Sequence, residues 1–412
     1  MREDRPSSDS AAESGGITIV GAGLAGLSTA EELRERGYDG PITLIGAEEQ
    51  HPYDRPPLSK EYLTSPEAAR LQLRDENELA KLELRLRLGR RAVGLDAARR
   101  TVTLDDGTAI GYTGLVIATG ARARQPGTHL AGLHTLRTVA DAAALRDALE
   151  HTDRVVVVGA GFIGSEIAAS ARGLGCAVTL IEAAPTPLAT AIDPRLGATF
   201  AEIHRQQGVD LRLGIEVTGY GGTDRVERVW LNDGSSVAAS VVVAGLGVEL
   251  GTDWLAGSGA RLAEGPPGGV HCDAYCATNL AEVYAVGDLA NWPHPRYGRL
   301  RLEHWTNARE QAAVVAHNLL CAPEERQTYA PVPYFWSDQY GMKIQLLGQA
   351  SPAEQLAVVS GSQQERKFVA FLGRGGMLTG ILGLRSTPKV MRYRRLLTEP
   401  TSWADALAAA GQ

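Results

Sequence analysis

The stretch Ile17-Thr18-Ile19-Val20-Gly21-Ala22-Gly23-Leu24-Ala25-Gly26 decides the fold, because a β-branched run passes directly into glycines spaced G-x-G-x-x-G. The run reads as a buried parallel strand. The glycines permit a tight turn, close approach of the backbone to a pyrophosphate, and close packing of the next helix on the strand. A second copy, Val155-Val156-Val157-Val158-Gly159-Ala160-Gly161-Phe162-Ile163-Gly164, stands in mid-chain. Each copy is followed by another strand, Ile42-Thr43-Leu44-Ile45 or Ala177-Val178-Thr179-Leu180-Ile181, and then by an acid, Glu48 or Glu182. The acids fall roughly 20 residues after the glycines, where a carboxylate bonds an adenosine ribose. One such match is weak, since strand-turn-helix units without a ligand also use glycines. Two complete copies point to two dinucleotides on one chain.

The chain has 412 residues, 44% of them hydrophobic, enough for several cores of an α/β protein. A net charge of -7 argues against a nucleic-acid binder, which shows a basic excess. Residues 1–14 are polar and charged, without the apolar core of a secretory signal, and read as a disordered tail. No apolar run approaches the roughly 18 to 20 residues that cross a bilayer. The expectation is a cytoplasmic protein with no nucleic-acid or membrane partner. Four cysteines, Cys176, Cys272, Cys276 and Cys321, are too few for a disulfide framework, and the Cys272/Cys276 spacing lacks the companions of a zinc site, so no metal is expected.

Behind the second fingerprint, Val241-Val242-Val243-Ala244-Gly245 and Val283-Tyr284-Ala285-Val286-Gly287-Asp288 are short buried strands that exit into glycine, as Leu115-Val116-Ile117-Ala118-Thr119-Gly120 does earlier. The Gly287 strand has no fingerprint of its own and is expected to complete the first nucleotide domain. That domain is then discontinuous, 15–126 and 246–329, with a second nucleotide domain, 127–245, inserted. From 330 to 412 the pattern changes to alternating strands, including Lys343-Ile344-Gln345-Leu346-Leu347 and Lys367-Phe368-Val369-Ala370-Phe371-Leu372, then a helix near the end. This segment is expected to be an α+β domain.

The two fingerprints occur together with Pro52-Tyr53-Asp54-Arg55-Pro56-Pro57-Leu58-Ser59-Lys60, Ala118-Thr119-Gly120, Glu166, Ala285-Val286-Gly287-Asp288, Arg301-Leu302-Glu303-His304-Trp305-Thr306-Asn307-Ala308 and Tyr334-Phe335-Trp336-Ser337-Asp338-Gln339-Tyr340. This combination resembles the oxygenase-coupled, NADH-dependent ferredoxin reductases, putidaredoxin reductase-like and FAD-containing, from about Ile17 to the C-terminal helix. The resemblance implies a glutathione-reductase-like fold of two Rossmann-like domains plus a C-terminal α+β domain, FAD on the first fingerprint and NAD(H) on the second. It also implies roles for single residues. Ala25 would touch the FAD pyrophosphate, Lys60 the flavin near N5, Ala92 the adenine side, Arg137 the flavin region, Asp288 the ribityl chain and Trp305 the isoalloxazine. Gly21, Gly23, Leu24, Gly26, Glu48, Arg55, Thr119, Gly120, Gly287, Glu303, His304 and Trp336 join the flavin set, and Gly159, Gly161, Phe162, Ile163, Gly164, Glu166, Glu182 and Gly245 the nicotinamide set. Two positions depart from the family pattern: Ala47, often acidic there, and Leu250-Gly251, usually proline and asparagine.

Independent chemistry supports Lys60 and Glu166 as the catalytic pair. Hydride addition places negative charge on a flavin ring, which a fixed cation at Lys60 stabilises, and Glu166 can hold that lysine. Asp288 reads equally as a helix N-cap, and Trp336 equally as a core aromatic. A carboxylate at Glu182 accepts a free 2'-hydroxyl and repels a 2'-phosphate, which favours NADH. The expected activity is hydride transfer from NADH to FAD, then single electrons to an iron-sulfur ferredoxin (2Fe-2S or 3Fe-4S) that supplies a cytochrome P-450 or Rieske oxygenase. Basic residues at Arg296, Arg299, Arg301, Arg309, Lys389, Arg392, Arg394 and Arg395 are docking candidates, with charge reversal at Arg299 and Arg301 expected to raise the Michaelis constant for ferredoxin. The competing readings are a disulfide, peroxide or oxygen reductase, which needs a redox cysteine beside the flavin, and an NADH-binding flavoprotein sensor with slow turnover.

Overall fold

The computed structural model describes residues 13–67, 70–350 and 353–411. Residues 1–12 of the expected tail lie outside that set, whereas Glu13 and Ser14 begin the first strand, Glu13–Val20. The chain divides into two compact units, one of residues 1–54, 72–121 and 250–331, the other of 55–71, 122–249 and 332–412. The segment that carries Lys60 thus groups with the second fingerprint rather than the first. By their contacts residues 332–412 group with that second unit.

In the first unit five parallel strands lie in the order Leu84–Leu88, Ile42–Gly46, Glu13–Val20, Ala109–Ile117, Val283–Ala285. The pattern of burial along Ala109–Ile117 explains its double role. Its first half alternates between buried and partly exposed and pairs antiparallel with Thr101–Leu104, which pairs with Ala92–Asp96. From Gly114 every residue is buried, as a strand covered on both faces requires. The helices Leu24–Glu35 and Trp305–Leu320 pack against each other on this sheet, their buried residues meeting the core around Ile19, Leu33, Val116 and Val315.

The second unit holds two sheets. One is parallel, ordered Asp210–Leu213, Ala177–Glu182, Arg154–Val158, Val242–Ala244, Leu133–His134. The other is antiparallel, ordered Tyr334–Gln339, Met342–Gly348, Met377–Leu384, Lys367–Arg374, Gln355–Ser362, and the helix Trp403–Ala410 follows it, as the C-terminal α+β pattern predicts. Tyr340 and Gly341, with φ of 53° and 69°, make the two-residue turn of the first hairpin. The helix Pro194–Gln206 buries Leu196, Phe200 and Ile203 against Ile344, Phe368 and Leu382 of the antiparallel sheet. That spacing of four and three places all three on one helical face.

Candidate active site

In the first unit Gly21, Gly23, Gly26, Glu48, Thr119, Gly120, Gly287 and Asp288 follow the carboxyl ends of parallel strands, the edge at which open α/β sheets hold ligands, whereas Arg55, Lys60, Arg137 and Trp336 of the expected flavin set belong to the second unit. Gly21 leaves the first strand with φ of 121°, and a Cβ there would overlap the Ala118 carbonyl oxygen. Gly26 lies against the Gly21 carbonyl oxygen, where a Cβ would again overlap backbone. Gly23, by contrast, has nothing within 4 Å of its Cβ position. Two glycines therefore serve chain packing, and the middle one leaves room for an approaching group. Thr119 ties this loop to the chain's return, its hydroxyl donating to the Gly251 carbonyl at 2.5 Å while the Gly251 N–H donates to Gly120 at 2.9 Å. The departure at Leu250-Gly251 is thus part of the floor beneath Thr119: a Cβ at Gly251 would sit only 3.0 Å from the Thr119 carbonyl oxygen.

Gly287 also meets this fingerprint. Its Cβ position is 3.0 Å from the Ala25 Cβ, and its N–H donates to Gln311 Oε1 at 2.8 Å. Asp288 follows in the short helix Gly287–Leu289. Its carbonyl accepts from Arg301 Nη1 at 2.9 Å, and the same nitrogen donates to Glu303 at 2.8 Å. Desolvation holds the His304 imidazole down to about 4, the Asp288 carboxylate pulling the other way. Trp305 opens the helix Trp305–Leu320, donates its indole N–H to Asp54 at 2.8 Å, and carries the Arg309 guanidinium 5.3 Å from its ring centre. Glu48 accepts the Tyr53 hydroxyl at 2.5 Å, and Ala92 is buried at the start of the antiparallel strand Ala92–Asp96.

The second unit repeats the arrangement with different partners. Gly159, φ 94°, abuts the Gly245 carbonyl as Gly21 abuts Ala118, Gly164 abuts the Gly159 carbonyl, and Gly161 faces open space. Glu182 ends its strand within the loop, accepting from the N–H groups of Ala160 at 2.6 Å and Ala184 at 2.9 Å. Both fingerprint helices, Leu24–Glu35 and Phe162–Gly173, lack a side-chain cap and have no acid in the first turn. The helices Glu76–Lys81, Val139–Glu150, Pro194–Gln206 and Trp403–Ala410 are capped by Asp75, Thr138, Asp193 and Ser402, whereas Trp305–Leu320 and Thr387–Tyr393 lack a side-chain cap as the fingerprint helices do. An uncapped helix start behind an open glycine fits a pyrophosphate at both places. Phe162 packs on Phe335 with ring centres 4.2 Å apart, and Ile163 is 40% exposed. Arg55 donates to the Arg137 carbonyl at 2.6 Å, and Trp336 stacks with Tyr334 at 6.0 Å.

Glu166 lies at the middle of a cluster of polar side chains in this unit. It is buried on the helix Phe162–Gly173, yet it is ringed by donors: Lys60 Nζ at 2.8 Å, Ser59 Oγ at 2.6 Å and Ser337 Oγ at 2.6 Å. An isolated buried carboxylate costs several kcal/mol, whereas hydrogen bonds to a charged group contribute roughly 1.5–3 kcal/mol each. Three donors offset the burial. Lys60 Nζ also donates to the Pro56 carbonyl at 3.0 Å, which holds the ammonium on a short leash at the end of the Arg-Pro-Pro-Leu-Ser turn. The two serines were not singled out from the sequence, although each sits inside a quoted motif.

Arg299 and Arg301, two of the docking candidates, also make hydrogen bonds within the chain. Arg299 donates to Asn291 Oδ1 at 2.8 Å and to the carbonyls of Cys272 and Asn291, and Arg301 donates to Pro267, Asp288 and Glu303. Their guanidinium groups thus tie loop backbone together. Lys389, Arg392 and Arg395 are exposed. The thiols are equally informative. Burial pushes Cys272 up to about 12 and raises Cys276 well above the ordinary thiol range, the opposite of an activated thiolate. Cys176 is buried at the start of the strand whose far end is Glu182.

The model of the pyridine nucleotide-disulphide oxidoreductase family matches residues 16–312, and that of the reductase C-terminal domain matches residues 334–411. The chain is 37% identical to rhodocoxin reductase of Rhodococcus erythropolis, over 92% of this chain and 89% of that protein. It is 38% identical to the ferredoxin–NAD(+) reductase component of the anthranilate 1,2-dioxygenase system of Burkholderia cepacia, over 92% and 93%. Among solved structures, the ferredoxin reductase for the CYP199A2 system of Rhodopseudomonas palustris superposes with a TM-score of 0.88 at 34% identity, covering 96% of this chain and 97% of that one. Putidaredoxin reductase in its covalent complex with putidaredoxin gives 0.87 at 30%, covering 93% of each. The chain belongs to the pyridine nucleotide-disulphide oxidoreductase family. It is an FAD-dependent oxidoreductase that uses NAD(H).

Proposed function

We propose that the chain is an NADH-dependent ferredoxin reductase that feeds an oxygenase, either a cytochrome P-450 or a Rieske enzyme. The observation that carries this reading is the Lys60–Glu166 pair at 2.8 Å in the second unit, together with one uncapped glycine-loop helix in each unit and the buried, unactivated thiols of Cys272 and Cys276. FAD, when bound, supplies a group that accepts electrons as a pair and releases them singly. The chain supplies charge and position. Lys60 presents a fixed cation where negative charge develops on a reduced ring, and Glu166 keeps its ammonium in place. Glu182 selects NADH, because a carboxylate that already accepts from two loop N–H groups repels a 2'-phosphate brought to the same place.

Asp288 and Trp305 are assigned to the flavin side, supported by their place at the strand ends and by the staples from Arg301 and Asp54. The partner is assigned as an iron-sulfur ferredoxin, 2Fe-2S or 3Fe-4S, drawn to the basic group of Lys389, Arg392, Arg394 and Arg395 despite the net charge of -7. The names of the four relatives given above, reductases for ferredoxins or oxygenase systems, support this and do not favour a slow sensor. Steady-state turnover of NADH with purified chain and candidate ferredoxins tests it: fast cluster reduction is expected, and a protein that binds NADH yet releases electrons only slowly contradicts it.

A further inference from the structure

The strand Tyr334–Gln339 runs past the helix Phe162–Gly173, and alternate residues of the strand meet residues four apart on the helix. Phe335 touches Phe162, and Ser337 reaches Glu166. Gln339, 2% exposed, donates its amide to Ser337 Oγ at 3.2 Å. That donation occupies a lone pair of the hydroxyl and turns its proton toward Glu166 Oε1. The other carboxylate oxygen, Oε2, accepts Lys60 and Ser59, and the Ser59 carbonyl is itself held by the Ser170 hydroxyl at 2.7 Å.

We infer that Ser337, oriented by Gln339, is a positioning residue for the reductive half-reaction: the antiparallel sheet reaches into the nucleotide-binding part of its unit and fixes the carboxylate that fixes Lys60. With Ser337 in place both oxygens of Glu166 are engaged and the carboxylate plane cannot turn. Without it Oε1 loses the only donor that the described residues give it, Glu166 gains freedom to rotate, and the Lys60 ammonium loses its fixed partner. The inference rests on the reading of Lys60 and Glu166 given above, and its test separates the two.

The full-length, FAD-loaded protein is mixed rapidly and anaerobically with NADH, and bleaching of the flavin is followed. Ser337→Ala is expected to slow bleaching at saturating NADH about tenfold, while the NADH concentration for half-maximal rate moves less than about twofold. Ser337→Thr, which keeps the hydroxyl, is expected to recover most of the rate. In a Glu166→Gln background, Ser337→Ala is expected to add less than about a twofold loss, because the two changes act through one group. Gln339→Met gives a second route should Ser337→Ala fail to fold, with a smaller slowing of about threefold expected from a hydroxyl free to turn away. Bleaching of Ser337→Ala at the wild-type rate, or an equal loss with and without Glu166, overturns the inference alone. A wild-type protein that NADH does not bleach overturns the functional reading and the inference together.

Discussion

At the scale of single residues, the three glycines of each fingerprint have separable duties, and substitutions should separate them. A Cβ at Gly164 overlaps the Gly159 carbonyl, so Gly164→Ala is expected to destabilise the fold by about 1–3 kcal/mol, read from thermal or denaturant unfolding. Gly161 is open and already extended, with φ of -68° and ψ of -176°, a backbone alanine adopts freely. Gly161→Ala should unfold at the wild-type temperature and raise the Michaelis constant for NADH about tenfold, since the methyl occupies the space left for the ligand. Equal losses of stability in both variants would contradict this division. These roles were legible in the sequence because they are constraints on the backbone itself, and the backbone is local. Ser59 and Ser337 were not legible for the opposite reason. A serine hydroxyl declares nothing until its partner is known, and Glu166 stands 107 residues from one and 171 from the other.

At the scale of elements, the helix Pro194–Gln206 and the hairpin turn at Tyr340-Gly341 are joined by a buried imidazole. His204 Nδ1 lies 2.7 Å from the Tyr340 hydroxyl, and its Nε2 has no partner among the described residues. Burial holds His204 down to about 4 from an ordinary 6.5. The unfolded chain therefore binds a proton between those values that the folded chain refuses, and folding stability drops as pH falls from about 6.5 toward 4, by up to roughly 3 kcal/mol from this group. His204→Gln should flatten that part of the stability profile measured by denaturant unfolding, with His304 keeping some slope because it is shifted the same way. An unchanged slope would mean that His204 is charged in the folded protein. Of the two strands beside that turn, Met342–Gly348 was expected from the alternation in Lys343 to Leu347. The contact was not, because apolar periodicity in 194–206 announces a buried face without naming what covers it.

At the scale of the molecule, the two fingerprints and the return of the chain through Val283–Ala285 are read from sequence, since each strand exits into glycine at the same edge of its sheet. What sequence did not reveal is the grouping of 55–71 with the second unit and the common core of the helix Pro194–Gln206 with the C-terminal sheet. Both follow from packing between segments far apart in the chain. The docking assignment belongs to this scale as well. Joint reversal of Arg392 and Arg395 to glutamate is expected to raise the Michaelis constant for ferredoxin about tenfold at low salt and to leave ferricyanide reduction unchanged, the difference shrinking as salt is added. Equal effects on both acceptors would remove these arginines from the docking surface.

The central claim, electrons in as a pair from NADH and out singly to an iron-sulfur protein, is tested most directly by one anaerobic double-mixing experiment. Purified yellow protein is bleached with a stoichiometric amount of NADH and then mixed with oxidised ferredoxin. The account predicts rapid bleaching by NADH in preference to NADPH, unaffected by prior alkylation of thiols, followed by return of the flavin colour as the cluster signal of the ferredoxin is reduced. A colourless protein that takes up no FAD, or bleaching that needs NADPH and is abolished by alkylation, would contradict it.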